Sequence, residues 1–381
     1  MKTQPLYDNN PFQKTFQSKV LSCTQADTGY KVLLDQTVFF PEQGGQTSDI
    51  GTLGDGKVID VQIENDEIVH YTDIAYTVGT TVTGEIDWQH RFSKMQQHTG
   101  EHLFTGLAHN KFGAENVGFH LSDNTVTLDL NIELDLEKVR LLERLANEAI
   151  AEDIPVRAFY PSDEELSQIE YRSKKEIDGA IRLVEIQGID MCACCAPHVR
   201  TTGQVGILKV VSFNKYKGGT RVYIACGLRA LADYNRKMDI LSQTYQVLNC
   251  KEDEIPEKVK ALLLDNKQQK YEISEIKAKI LMEQIEKYPS EIVDVTIFTE
   301  DLDAKNMRDG VNALVEKHEG LCAIFSGNDD DGYNFVIGSR TRDCSAIAVG
   351  LRELLGAKGG GSKQMAQGSI MATRSQIEQT L

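Results

Sequence analysis

The feature that most constrains this chain is a pair of short segments, far apart in sequence, that have to meet. His98-Thr-Gly-Glu-His102 sets two histidines four residues apart, which puts both imidazoles on one face of a helix. Nearly a hundred residues later, Cys192-Ala-Cys-Cys-Ala-Pro-His198 repeats that spacing in Cys194 and His198. Either half alone carries little. The first is not a zinc-protease signature, because Thr99 stands where that motif needs Glu and Glu101 is displaced. Together the halves offer thiolate and imidazole, a donor set that favours Zn2+ over magnesium or calcium. The spacing leaves Cys192 and Cys195 open as substitutes for Cys194. A zinc closed by four protein ligands is structural, and a catalytic one keeps a position open. The sequence is compatible with both.

Residues 17–90 read as β structure. Apolar alternation runs through 31–34, 58–63 and 80–86, and Gly44-Gly45, Gly51, Gly54 and Gly56 read as turns. Ser93 and Gln96 form a capping-box pattern, which predicts a helix start at Ser93 with Met95, Leu103 and Leu107 facing the core. Strands are expected at 117–120, 125–130, 181–186, 206–211 and 221–226. Residues 135–152 have helical periodicity through Leu136, Val139, Leu142, Leu145 and Ile150. From 229 the pattern becomes a heptad seam of Leu231, Tyr234, Met238, Leu241, Tyr245 and Leu248. It is repeated by Leu262, Asn266, Gln269, Ile273, Ile276 and Ile280 after a turn around Pro256. The expected class is α+β: a small glycine-rich β-barrel over 1–90, an α/β zinc-containing core over 91–228, a helical hairpin or coiled coil over 229–289, and a small α/β domain over 290–381.

Composition narrows the partners. A net charge of −16 argues against a general nucleic-acid binder, since phosphate contacts need Lys and Arg. The window from Arg200 to Cys250 is the exception: eight Lys and Arg stand against Asp233 and Asp239, a local charge of +6. Such a stripe fits a selective RNA partner or, equally, a solvated face. Three of the cysteines crowd into residues 192–195 and the others scatter, which suits metal binding in a reducing compartment better than a disulfide framework. Eighteen consecutive apolar residues occur nowhere, and residues 1–12 lack an apolar signal core. A cytoplasmic protein with no membrane contact is expected.

At these residues the chain resembles a known family. Gln97-His-Thr-Gly-Glu-His-Leu103 resembles the His-x-x-x-His motif in the editing domain of alanyl-tRNA synthetase, and more closely that of the free-standing alanyl-tRNA editing proteins, the AlaX group. Cys194–Val199 followed by Thr202-Gly-Gln-Val-Gly206 resembles that family's Cys-Gly-Gly-Thr-His-Val and Thr-Gly-Glu-Ile-Gly. Leu34-Asp-Gln-Thr-Val-Phe-Phe-Pro-Glu-Gln-Gly-Gly-Gln46, Val117–Leu121 and Val126–Leu130 resemble further family segments in the family's order. Gly359-Gly-Gly-Ser-Lys363 and Met365-Ala-Gln-Gly368 resemble the DHH-associated domain found at the synthetase C-terminus, which marks the long form of the group. Phosphoesterases with that domain need an Asp-His-His motif, which this chain does not contain.

The resemblance implies a zinc-dependent hydrolase that removes serine or glycine from mischarged tRNA(Ala). It implies that His98, His102, Cys194 and His198 hold Zn2+. It also puts Thr37 near the amino-acid pocket, as hydrogen-bond partner of a serine hydroxyl, with Gln46 lining the same pocket. Gly359, Gly360, Gly361 and Lys363 are expected to approach tRNA phosphate, with Arg221 of the basic window as a further RNA contact. The helical hairpin suggests a homodimer. One departure stands out: the family's Gly-Gly-Thr between its Cys and His is Cys195-Ala-Pro197 here, and Pro197 has neither N–H nor hydroxyl to offer. The other function classes to weigh are a non-catalytic tRNA-binding or regulatory protein, and a hydrolase for another misacylated tRNA.

Overall fold

In this computed structural model, which describes residues 2–173 and 179–381, the chain divides into two compact units, Met1–Leu241 and Ser242–Leu381. The first begins with strands whose alternation turns Val20, Val32, Leu34, Val58, Val61 and Ile86 inward. Six strands pair antiparallel in the cyclic order Thr15–Gln25, Tyr30–Leu34, Glu67–Thr72, Gly56–Glu64, Gly51–Leu53 and Thr81–Ile86. The ladders are uneven. Gly51–Leu53 offers three residues to each neighbour. Register shifts interrupt the pairing at Val20/Ser22 and at Val58/Asp60. A separate parallel pair, Gln4–Pro5 with Gln36–Thr37, lies outside that ring.

The fold class expected from the sequence is therefore corrected. The molecule is an α/β fold of several separate sheets, and residues 1–90 do not form the regular small barrel that the glycine pattern suggested. The glycines were misread in part. Gly51 and Gly56 are strand residues at which a Cβ would collide with Glu85 O and with the Tyr76 and Ile74 side chains, so they serve close packing rather than turns.

The helix Trp88–Phe112 runs through the middle of the first unit. Asp87 caps it by accepting from His90 N, and Gly113 closes it in the left-handed region at φ 65°. Its start thus precedes the expected Ser93. Ser93 is internal, and its hydroxyl accepts from Arg229 Nε at 2.7 Å. The four-stranded antiparallel sheet Leu208–Tyr216, Gly219–Cys226, Val126–Leu130 and Asn116–Leu121 packs against this helix, as does the helix Leu136–Ala151, capped by Asp135. A second sheet of three strands, Val156–Phe159, Leu183–Ile186 and Asp190–Ala193, delivers the cysteine segment to it.

Two buried cations tie the N-terminal strands to this helix. Arg91 Nε donates to both Asp49 oxygens at 3.0 and 2.9 Å, and its other nitrogens reach Pro11 O and Val38 O. Lys94 Nζ donates to Thr47 Oγ1 and Ser48 O, each at 2.7 Å. The segment carrying Gln46 is therefore pinned onto the helix that carries His98.

The second unit holds a five-stranded mixed sheet in the order Val295–Thr299, Cys322–Asn328, Gly332–Gly338, Met365–Ile370 and Lys358–Gly361, with helices Ala304–Lys317 and Cys344–Leu355. The glycine run is its edge strand. The two heptad segments form helices, Gly227–Leu248, which runs across the boundary between the units, and Ile255–Glu286, and both leave much of the seam exposed. Leu231, Tyr234, Leu262, Ile273, Ile276 and Ile280 are all exposed. On the longer helix only Leu281 and Ile285 are buried; they join Met307, Val311 and Leu314 of the next helix. Asn266 and Gln269 at seam positions weaken the apolar stripe that a two-helix contact needs. Among the described residues, no helix is long and apolar enough to cross a membrane.

Candidate metal centre

The two segments do meet. His98 and His102, one turn apart on the helix, face Cys194 and His198 in the loop leaving strand Asp190–Ala193, and the four ligand atoms lie within 4.8 Å of one another. Cys194 Sγ is 3.5 Å from His98 Nε2 and 3.4 Å from His198 Nε2. Zinc bonds of about 2.3 Å to sulfur and about 2.0–2.1 Å to nitrogen, at tetrahedral angles, put S and N about 3.5–3.6 Å apart. The pocket is thus already close to the size a tetrahedral ion requires.

Each imidazole is aimed by a partner on its other nitrogen. His98 Nδ1 donates to Gln46 Oε1 at 2.8 Å, His102 Nδ1 to Asp190 Oδ2 at 2.8 Å, and His198 Nδ1 to Thr99 Oγ1 at 3.0 Å. A proton at Nδ1 of each ring would turn all three Nε2 lone pairs inward, which is the arrangement metal-binding histidines adopt. Arg182 Nη1 fixes the ligand loop by donating to Cys194 O at 2.9 Å and Ala196 O at 3.0 Å.

The electrostatics separate the three clustered cysteines. Burial raises the Cys194 thiol, but His98 and His198 outweigh it and hold it well below the ordinary thiol range. Burial pushes Cys192 up to about 11 and Cys195 up to about 12. Cys192 groups with Asp190 and His102 rather than with the other imidazoles. Of the three, Cys194 is the one whose sulfur lies within reach of all three imidazoles. Burial also lowers His198 to about 3, against the opposing pull of the Cys194 thiol. His102 goes the other way: burial acts to lower it, and the Asp190 hydrogen bond followed by the Cys194 thiol raises it well above the ordinary value.

A cleft of about 670 Å³ opens beside the cluster. His98, His102 and Cys194 reach its wall, with Phe119, Tyr160 and Arg182. Gln46 is fully buried behind His98, and its Nε2 has no hydrogen-bond partner among the described residues. Thr37 is not in that wall. Its hydroxyl donates to His70 Nε2 at 2.8 Å and accepts from Phe39 N at 3.1 Å.

The expected RNA contacts fall elsewhere. Arg221 makes a two-pronged pair with Asp129 at 2.6 and 2.7 Å and lies 3.7 Å over the Tyr216 ring. Lys209 pairs with Glu143 and Lys215 with Glu133. Three of the window's eight cations are thus paired with acids from outside it. Gly359, Gly360 and Gly361 lie on the exposed edge strand of the second unit, and Lys363 follows them, also exposed. At Gly359 a Cβ would strike Gln367 O, so this run is close-packed sheet.

Sequence reasoning missed Asp190, Thr99, Arg172 and Arg182. Asp190 had one signal, a lone acid two residues before the cysteine cluster. Arg172 and Arg182 had none.

The His/Cys cluster on a buried helix, facing a cleft, could hold a metal ion, and relatives narrow the reading. Residues 181–223 match the profile of the threonyl and alanyl tRNA synthetase second additional domain, and residues 7–90 that of class II (A) tRNA synthetases. The chain is homologous to alanine–tRNA ligases: it is 31% identical to that of Ignicoccus hospitalis over 74% of the chain and 32% of the ligase, and 29% identical to that of Pyrococcus abyssi over 97% of the chain and 42% of the ligase. It is also 31% identical to an alanyl-tRNA editing protein of Bos taurus, over 66% of the chain and 61% of that protein. The chain therefore spans about a third to two fifths of the length of these ligases.

Proposed function

We propose that this chain is a zinc-dependent trans-editing hydrolase that removes serine or glycine from mischarged tRNA(Ala). The observation that carries the reading is the set of three inward-facing imidazoles and one low-pKa thiol beside an open cleft, in a homologue of an alanyl-tRNA editing protein. The reading supplies what a synthetase lacks. A pocket shaped for alanine cannot exclude glycine and rejects serine poorly, so a second site must hydrolyse the errors.

His98, His102, Cys194 and His198 fit zinc by donor type and spacing. When bound, zinc supplies Lewis acidity toward an ester carbonyl or the water that attacks it. The chain's own residues do the rest. Gln46, Asp190 and Thr99 orient the imidazoles. Gln46 also keeps a buried amide N–H unspent, which we assign to a substrate oxygen. Thr37 reads the serine hydroxyl only by releasing His70; with that bond kept, it acts by seating the strand that leads to Gln46. The exposed edge strand with Lys363 is assigned to the tRNA backbone, and the uncovered heptad faces to self-association in a homodimer. A monomer in sedimentation at micromolar concentration removes the dimer.

The test is deacylation of Ser-tRNA(Ala), Gly-tRNA(Ala) and Ala-tRNA(Ala), with His102→Ala alongside. Loss of serine or glycine with alanine spared, abolished in the variant, is expected. Turnover that survives in His102→Ala overturns the site, and equal loss of alanine overturns editing.

A further inference from the structure

The three imidazoles are not held alike. His98 and His198 lean on neutral acceptors, Gln46 and Thr99. Only His102 is given a carboxylate, and that carboxylate is itself gripped. Arg172 Nε donates to Asp190 Oδ1 at 2.8 Å, and Nη2 reaches the same oxygen at 2.8 Å. Nη2 also donates to Thr105 Oγ1 at 3.0 Å, one helical turn beyond His102. Asp190 is thus divided: Oδ1 belongs to Arg172 and Oδ2 to His102 Nδ1.

The backbone of Arg172 is anchored as well. Its N–H donates to Met191 O at 2.8 Å, and its carbonyl accepts from Ala193 N at 2.9 Å. It therefore runs as a short parallel addition to strand Asp190–Ala193, the strand that leads into Cys194. One residue holds the partner of a helix ligand through its side chain and the approach to the loop ligands through its main chain.

We infer that Arg172 is a positioning residue for the metal centre: it holds Asp190 so that His102 presents Nε2 to the ion, and it sets the register of the strand that delivers Cys194. Without it, Asp190 is left buried against His102 with one oxygen unpaired, free to turn away from Nδ1. Partners behind a metal-binding histidine are worth about 10–100-fold in metal affinity. The inference rests on the metal reading above, so its test reads the metal rather than the hydrolysis.

Zinc affinity of the full chain is measured by chelator competition, with the absorption spectrum of the Co2+ form as a second readout. The unsubstituted chain is measured first. If it fails to take up either metal, the centre itself is overturned. With that established, Arg172→Met is expected to lose about 10–100-fold in zinc affinity and to shift or broaden the Co2+ ligand-field bands. Arg172→Lys, which restores one donor to Asp190, recovers part of both. Should Arg172→Met not fold, Asp190→Asn and Thr105→Val bracket the same chain of contacts, and affinity should fall more for Asp190→Asn than for Thr105→Val. A stabilising role alone would lower the thermal midpoint of the metal-free chain and leave the spectrum and affinity of the folded variant as they were. That result, in Arg172→Met or in Asp190→Asn, overturns the inference.

Discussion

Two long helices of this molecule invert the usual rule. Trp88–Phe112 is rich in polar residues, yet sixteen of its positions are buried, Arg91, Lys94, Glu101, His98 and His102 among them. Ile255–Glu286 carries a visible apolar seam, yet only Leu281 and Ile285 are buried. Burial followed what surrounds each helix rather than its own periodicity. The first is enclosed by sheets and a second helix that satisfy its polar groups one by one. The second meets too few apolar partners to cover its stripe. A buried polar helix therefore marks where the chain keeps its chemistry, and an apolar stripe by itself marks only a surface that can be covered.

Breaking the buried helix should have the largest effects. Cys194→Ala removes the only sulfur from the metal centre, and both zinc content and deacylation of Ser-tRNA(Ala) should fall by more than about 100-fold, beyond the loss expected of an outer partner. Retained zinc at full stoichiometry would mean that Cys192 or Cys195 takes its place. Next, Asp49→Ala leaves Arg91 charged and unpaired in the interior, at about 3–5 kcal/mol. Urea unfolding checks this, and a loss below about 1 kcal/mol would place the pair among weak surface contacts instead.

A third effect concerns pH. Burial lowers His70 to about 4, against an ordinary value of 6.5. The unfolded chain takes up the proton first, so this group costs nothing above about pH 6.5. It withdraws about 3 kcal/mol of stability as pH falls toward 4. His70→Gln should flatten the urea midpoint between pH 7 and pH 4.5, and an unchanged slope would show that the ring is not buried neutral. The smallest effect belongs to the exposed helix: Ile276→Lys should change stability by no more than about 0.5 kcal/mol. A larger loss, growing on dilution, would show that a second copy covers the seam.

This contrast also explains what could be read from the sequence. Strands at 117–120, 125–130 and 221–226 and the helix at 135–152 were legible because one apolar face repeats at a fixed period. The cluster of His98, His102, Cys194 and His198 was legible because i, i+4 spacing recurs in both halves. The helix start at Asp87 was hidden by a polar first turn. The glycine-rich strands were hidden because close packing and turning use the same residue. The pairing of Lys209, Lys215 and Arg221 was hidden because Glu143, Glu133 and Asp129 lie outside the window. Arg172 could not be found at all: its role exists only once Asp190 and His102 stand beside it.

The distance of 96 residues between His98 and Cys194 has a consequence in time. A ribosome adding about 5–20 residues per second needs about 5–20 s to pass from one to the other. For that interval the first two imidazoles exist without their sulfur, on a helix whose enclosing strands Leu183–Ile186 and Gly219–Cys226 are not yet made. A metal ion that arrives in that interval meets two of the four clustered side chains, and one that arrives after His198 has emerged and the chain has folded meets all four beside an open cleft.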